Sequence, residues 1–184
     1  MRFAYAIFLI AAGLCYAGPE RLSELSFKDL NGISHRPLDP GDKQASVLIF
    51  YGQDCPVSNA YAPELNRIAA SRTNFSFYIV QVDPELTPAA AMQHIRQYDL
   101  HPPVLLDPKH DLVKATGAKV TPEAVVVAKS GKVVYHGRID NRYAALGKKR
   151  STATQHDLLD ALDDLAAGRP VRTSQTKAIG CSIE

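Results

Sequence analysis

Phe50-Tyr51-Gly52-Gln53-Asp54-Cys55-Pro56-Val57-Ser58-Asn59-Ala60-Tyr61-Ala62-Pro63-Glu64-Leu65 is the stretch that decides the fold. The run Ser46-Val47-Leu48-Ile49-Phe50-Tyr51 leads into it. Its length and β-branching predict a buried central strand. Gly52-Gln53-Asp54 breaks that strand. From Cys55 the pattern turns helical, with Tyr61, Leu65 and Ile68 on one face. Pro56 then falls on the first helical position, where its missing N–H goes unmissed. A cysteine therefore sits where strand hands over to helix. Free N–H groups and the helix dipole at that place favour a thiolate over a thiol. The alternative is an ordinary buried cysteine, or one half of a structural disulfide.

Downstream, strands and helices alternate. Phe75 to Val82 predicts a strand. Pro88 opens a helix with Ala91, Met92, Ile95 and Tyr98 at helical spacing, and His94 is read as a solvated helix residue. Val104-Leu105-Leu106 predicts a short strand. Leu112 to Ala115 predicts a short helix that Gly117 ends. Glu123–Val127 and Lys132–His136 predict a hairpin through Ser130-Gly131. Asn141–Ala153 reads as a polar loop carrying Lys148, Lys149 and Arg150. Thr154 is expected to cap a last helix, with Leu158, Leu159, Leu162 and Leu165 on its apolar face. Upstream, Leu25 to Leu30 followed by Asn31-Gly32 predicts a small hairpin. The alternation gives an α/β class.

The 184 residues are 46% hydrophobic and 22% charged, the balance of one ordinary globular domain. A net charge of +2, scattered along the chain, does not point to nucleic acid. The only long apolar run is at the N-terminus, which excludes a multi-pass membrane protein. There, Arg2 is a one-charge n-region, Phe3 to Leu14 an apolar h-region, and Cys15-Tyr16-Ala17 a small-x-small cleavage site before Gly18. About 12 apolar residues are too few to span roughly 30 Å of hydrocarbon. Lipoprotein processing at Cys15 fits poorly, because Leu14 and not a small residue precedes it. Residues 1–17 are thus read as a signal peptide. Export places the protein in a periplasm or outside the cell, with no stable membrane insertion once the signal is removed. The mature chain keeps Cys55 and Cys181, in a compartment where a disulfide persists.

Pro63, eight residues after Cys55, and the segment Val120-Thr121-Pro122-Glu123-Ala124-Val125-Val126-Val127 resemble the thioredoxin superfamily. In that superfamily the first position kinks the active-site helix and the second carries a cis-proline, here Pro122. The extra strand and helix around residues 86–116, with Asp107-Pro108-Lys109-His110-Asp111-Leu112, are similar to the insertion of the redoxin branch. That branch includes peroxiredoxins and exported TlpA/ResA-like thiol-disulfide oxidoreductases. The resemblance implies a thioredoxin-like α/β fold over residues 18–168: a central mixed sheet flanked by helices, an N-terminal extension, and a tail at 169–184. It implies catalysis by Cys55, with Thr121 offering main-chain hydrogen bonds and Pro122 shaping a partner groove. Pro56 joins that groove. Arg138 is a candidate to hold the thiolate or an anionic partner.

The departures are specific. Ser58 stands where a Cys-x-x-Cys motif has its second cysteine. Gly52 stands where a peroxiredoxin has Thr or Ser. Asn59 stands where copper-delivering Sco-type relatives have a cysteine. Cys181 is then the other thiol. The 13 residues from Gly168 span at most about 45 Å when extended, enough to return to the helix start. Gly180 permits a close approach. Two-cysteine peroxiredoxins resolve through a distant C-terminal cysteine in a similar way. A permanent staple, or a metal or intermolecular role, stays open. The expected function is an exported thiol-disulfide oxidoreductase acting on a protein disulfide or a peroxide, with a thioredoxin-like electron donor and no cofactor. Its rivals are a copper-binding assembly protein using Cys55, Cys181 and His136, and a non-catalytic interaction module.

Overall fold

The computed structural model describes residues 24–184. The expected signal peptide, Cys15 and the start at Gly18 lie outside the described residues. A small hairpin comes first, β1 (Phe27–Lys28) against β2 (Ser34–His35). The Asp29 carboxylate closes its turn by accepting from the Asn31 and Ile33 N–H groups.

The centre is a five-stranded sheet. It is built from β3 (Ala45–Tyr51), β4 (Ser76–Gln81), β5 (Val104–Leu106), β7 (Glu123–Ala128) and β8 (Val133–Gly137), in the order β5-β4-β3-β7-β8. β3 pairs parallel with β4 and antiparallel with β7, so the sheet is mixed. All seven residues of β3 are buried, as the apolar run predicted. Its alternate residues feed two cores. Val47, Ile49 and Tyr51 face α1 (Pro56–Ser71) through Tyr61, Leu65 and Ile68. On the same side lies α4 (Asp157–Ala166), through Leu158 and Leu162. Leu48 and Phe50 face the opposite core, with Leu112 of α3 (Asp111–Thr116). Burying one such side chain stabilises by about 1.5–3 kcal/mol.

The remaining helix, α2 (Pro88–Tyr98), starts at Thr87, whose side chain accepts from Ala90 N–H. α3 ends at Gly117 with φ +76, as expected. Two expectations are corrected. The polar loop after Asn141 contains a hairpin, β9 (Tyr143–Ala145) with β10 (Lys148–Lys149). Thr154 does not cap α4: His156 holds the N-cap position. Thr154 is instead tied to Asn141, donating its N–H to Oδ1 and accepting at its hydroxyl from Nδ2.

After α4 the chain turns back along the molecule. Asp164 gathers Arg169 and Arg172. Gln175 bridges to His136 at the edge of β8. The Thr176 hydroxyl accepts from Arg138 N–H at 3.0 Å and meets Tyr135 OH at 2.9 Å. A Cβ at Gly137 would run into Thr176, so the glycine lets the tail lie this close. The tail ends in β11 (Cys181–Ser182), antiparallel to β6 (Val120–Thr121).

Candidate functional site

Cys55 is the N-cap residue of α1, with extended backbone (φ −86°, ψ 110°) and Pro56 at the first helical position. Its N–H closes a turn onto Gly52 O at 3.1 Å, and its carbonyl accepts the first helical bond from Asn59 N at 3.0 Å. The residue is only 3% exposed. Its thiol donates to Thr121 O at 3.1 Å. The Thr121-Pro122 peptide is cis, and Pro63 lies inside α1, both as the resemblance implied.

The second cysteine is carried to the first by main-chain pairing. Cys181 stands opposite Thr121 in the β11–β6 register, and Ile183 N–H bonds Lys119 O at 3.0 Å. Gly180 is required for this approach, because a Cβ there would collide with the Thr121 carbonyl. Cys55, Thr121 and Cys181 thus line one cleft of about 510 Å³. Both cysteines are free thiols.

The two sulfurs are electrostatically unequal. Burial works against ionising Cys55. The Cys181 thiol, the Ser58 N–H and hydroxyl, and the Cys181 N–H outweigh it and lower the Cys55 pKa to about 7. Cys181 is pushed up to about 11, by burial and then by its contact with Cys55. Above about pH 7 Cys55 ionises first, while Cys181 keeps its proton.

The Redoxin family profile matches residues 24–154. The chain belongs to the Redoxin family. The thiol-disulfide oxidoreductase ResA of Bacillus thuringiensis subsp. konkukian is 28% identical over 87 residues, 47% of this chain and 50% of that relative. The chain thus spans about half the length of the curated relatives it matches. A solved structure of an uncharacterized conserved protein from Geobacillus kaustophilus superimposes with a TM-score of 0.76 at 27% identity, covering 86% of this chain and 87% of that one. A secreted Mycobacterium tuberculosis disulfide oxidoreductase homologous to E. coli DsbE gives a TM-score of 0.55 at 22% identity, covering 80% and 98%. At that identity the likeness concerns the fold alone.

In this redoxin the departures from the usual motifs have local reasons. A side chain at Gly52 would place Cβ 2.9 Å from Thr121 Oγ1 and 3.3 Å from Cys55 Cβ, so the residue must be small for β6 to reach the cysteine. Ser58, fully buried, donates toward the Cys55 thiolate and accepts from Gly52 N–H at 3.4 Å. Asn59 accepts from Tyr51 OH at 3.0 Å and from His94 Nε2 at 2.9 Å, and donates to Gln53 O at 2.8 Å. His94 is therefore not solvated as expected: it is buried beside Asn59 and Gln81, and burial lowers its pKa. Its position was legible, since His94 lies three residues after Ala91 and four before Tyr98 on the apolar face.

Other candidates are engaged elsewhere. Arg138 forks onto Asp157 (2.7 and 3.1 Å) and reaches Gln155 at 2.8 Å. His136 Nε2 lies 3.1 Å from Glu123 Oε1, off the angle of a hydrogen bond. Glu123 was not singled out in the sequence beyond its strand. It accepts from Lys119 N–H at 2.7 Å and so fixes the turn into β6. Burial opposes its charge, yet His136 and that N–H hold its pKa below the usual carboxylate value. Glu64, Asp140 and His156 bring ligand atoms within 4.8 Å of one another. Arg67 already forks onto Glu64, and Arg142 lies 3.3 Å from Asp140, so the cluster is an internally balanced ion network. No helix among the described residues is long and apolar enough to cross a membrane.

Proposed function

We propose that this redoxin is an exported thiol-disulfide oxidoreductase in which Cys55 attacks and Cys181 resolves. The observation that carries the reading is the β11–β6 pairing, which sets Cys181 opposite Thr121 beside a Cys55 thiol lowered to about 7. The Cys55 thiolate attacks one sulfur of a disulfide, forms a mixed disulfide and expels a thiolate. Cys181 then gives its proton to a leaving thiolate and attacks Cys55 Sγ. The products are the Cys55–Cys181 disulfide, one substrate thiol and one substrate thiolate that takes its proton from water, and a thioredoxin-like donor returns the pair to dithiol. Thr121 lines the approach, Pro122 follows it through the cis bond, and Pro56 opens the helix directly after Cys55. Peroxide is the weaker substrate, because Gly52 brings no hydroxyl to the site. Export rests on the signal-peptide pattern of residues 1–17.

The test is oxidation with a neutral disulfide, followed by non-reducing peptide mapping and equilibration against thioredoxin. We expect one intramolecular Cys55–Cys181 bridge, reduced readily, with a potential above about −300 mV. Cys181→Ser should trap a mixed disulfide on Cys55 with the fold intact. A sharp fall in melting temperature with nothing trapped would make the pair a structural staple.

A further inference from the structure

The cleft over the two sulfurs carries charge of one sign. Asp54, Asp83, Glu85 and Glu184 line it, and no Lys, Arg or His does. None of these four carboxylates is in an ion pair among the described residues. Asp54 adjoins Cys55 on the loop that starts α1. Asp83 and Glu85 approach from the turn after β4, which Asp83 closes by accepting Glu85 N–H at 2.9 Å. The nucleophile adds a further negative charge whenever Cys55 is ionised. A substrate must therefore bring its disulfide to a thiolate through a field that repels anions. Exposed carboxylates around one opening act together over a Debye length of about 8–10 Å, and such fields change encounter rates by roughly 10- to 1000-fold at low salt.

We infer that this cleft selects cationic disulfides, of which the natural form is a cystine flanked by Lys or Arg, and disfavours anionic ones such as glutathione disulfide. The inference rests on the thiol-disulfide reading above, and concerns which disulfide is used. The chemistry is unchanged. Cys55 forms the new S–S bond, the substrate S–S bond breaks, and a thiolate whose cationic group offsets its charge leaves the cleft. Cys181 completes the exchange and releases the second thiolate. Asp54, Asp83 and Glu85 act on encounter and touch no reacting atom.

The experiment measures oxidation of the reduced full chain by three small disulfides: cystamine (cationic), 2-hydroxyethyl disulfide (neutral) and glutathione disulfide (anionic). Each rate is normalised to the rate of the same disulfide with a free small-molecule thiolate. At low ionic strength we expect cystamine to exceed the neutral disulfide, and the neutral to exceed glutathione disulfide, by about 10-fold or more from end to end. Raising salt to about 1 M should compress the series, since the Debye length falls to about 3 Å. The double variant Asp83→Asn/Glu85→Gln should narrow it at low salt. Equal normalised rates, or a series that salt does not compress, would overturn the charge selection while leaving the oxidoreductase reading standing. Failure of all three disulfides to oxidise the pair would overturn both.

Discussion

The junction at Cys55 and the tail at Cys181 meet at one pair of sulfurs, yet opposite means hold them. The junction is fixed by packing: β3 is buried along its whole length, and α1 lies on it through Tyr61, Leu65 and Ile68. The tail is fixed by hydrogen bonds at a few points, Asp164, Gln175, Thr176 and the two-residue β11, and by isolated apolar contacts from Val171, Ala178, Cys181 and Ile183. Packed cores open only with the whole molecule, whereas segments with few buried apolar contacts open locally. In the mechanism proposed above, the attacking sulfur is the one on the rigid side and the resolving sulfur the one on the side that can leave. A resolving thiol needs that freedom, because the substrate must pass between the two sulfurs.

The largest test of this contrast is Leu65→Ala. Leu65 is 1% exposed in the main core, so the variant should lose about 2–5 kcal/mol in denaturant unfolding. The whole sheet should weaken with it. Hydrogen exchange at Ile183, whose N–H bonds Lys119 O, should occur at a lower opening free energy than in β3. Equal protection at both places would erase the distinction.

Gly180→Ala comes next. The new methyl group would collide with the Thr121 carbonyl, lifting β11 off its partner. Melting temperature should change little. The midpoint of Cys55 alkylation against pH should rise from about 7 toward the ordinary thiol value of about 8.5. An unchanged midpoint would mean that Cys181 does not set the reactivity of Cys55. Thr176→Val is milder. It removes a hydroxyl that accepts from Arg138 N–H and meets Tyr135 OH, and should cost about 1 kcal/mol.

The smallest expected effect is on pH dependence. The folded Cys55 pKa lies below its unfolded value, so its contribution to stability is fully present above the unfolded value and lost as pH falls through about 7. Cys181 has the opposite sign: its contribution is present below the unfolded value and lost as pH rises through about 11. The melting-temperature advantage of the reduced protein over Cys181→Ala should widen from pH 6 to pH 8.5. A gap that narrows over that range would contradict the assignment.

The same contrast explains what the sequence revealed. The junction was legible because its signals are side-chain patterns: an apolar β-branched run, a break, and Pro56 opening a 3.6-residue periodicity. Pro63 and Pro122 added family-specific marks at fixed spacing. The return of the tail to the helix start was read from its length and Gly180, but its course along β8 and its pairing with β6 were not legible. Its pairing uses the main chain of Val120 and Thr121, which any sequence supplies, and only two residues pair. Gly137 and Gly180 were the available traces, since each marks a place where another segment passes too close for a Cβ. Asn59 hid its role for a different reason. It was compared with a missing cysteine, whereas its amide joins Tyr51, His94 and Gln53 beneath the helix start.

The unequal sulfurs also set how many protons would accompany the oxidation of the pair proposed above. Below about pH 7 the reduced pair carries two protons, and between about 7 and 11 it carries one. Oxidation to the disulfide releases whatever the pair holds. For a two-electron couple each released proton contributes about 30 mV per pH unit to the midpoint potential. The potential should therefore fall by about 59 mV per pH unit in mild acid and by about 30 mV per pH unit above neutrality. The dithiol becomes a stronger reductant as pH rises, and the bend near pH 7 puts its steepest response on the acid side of neutrality.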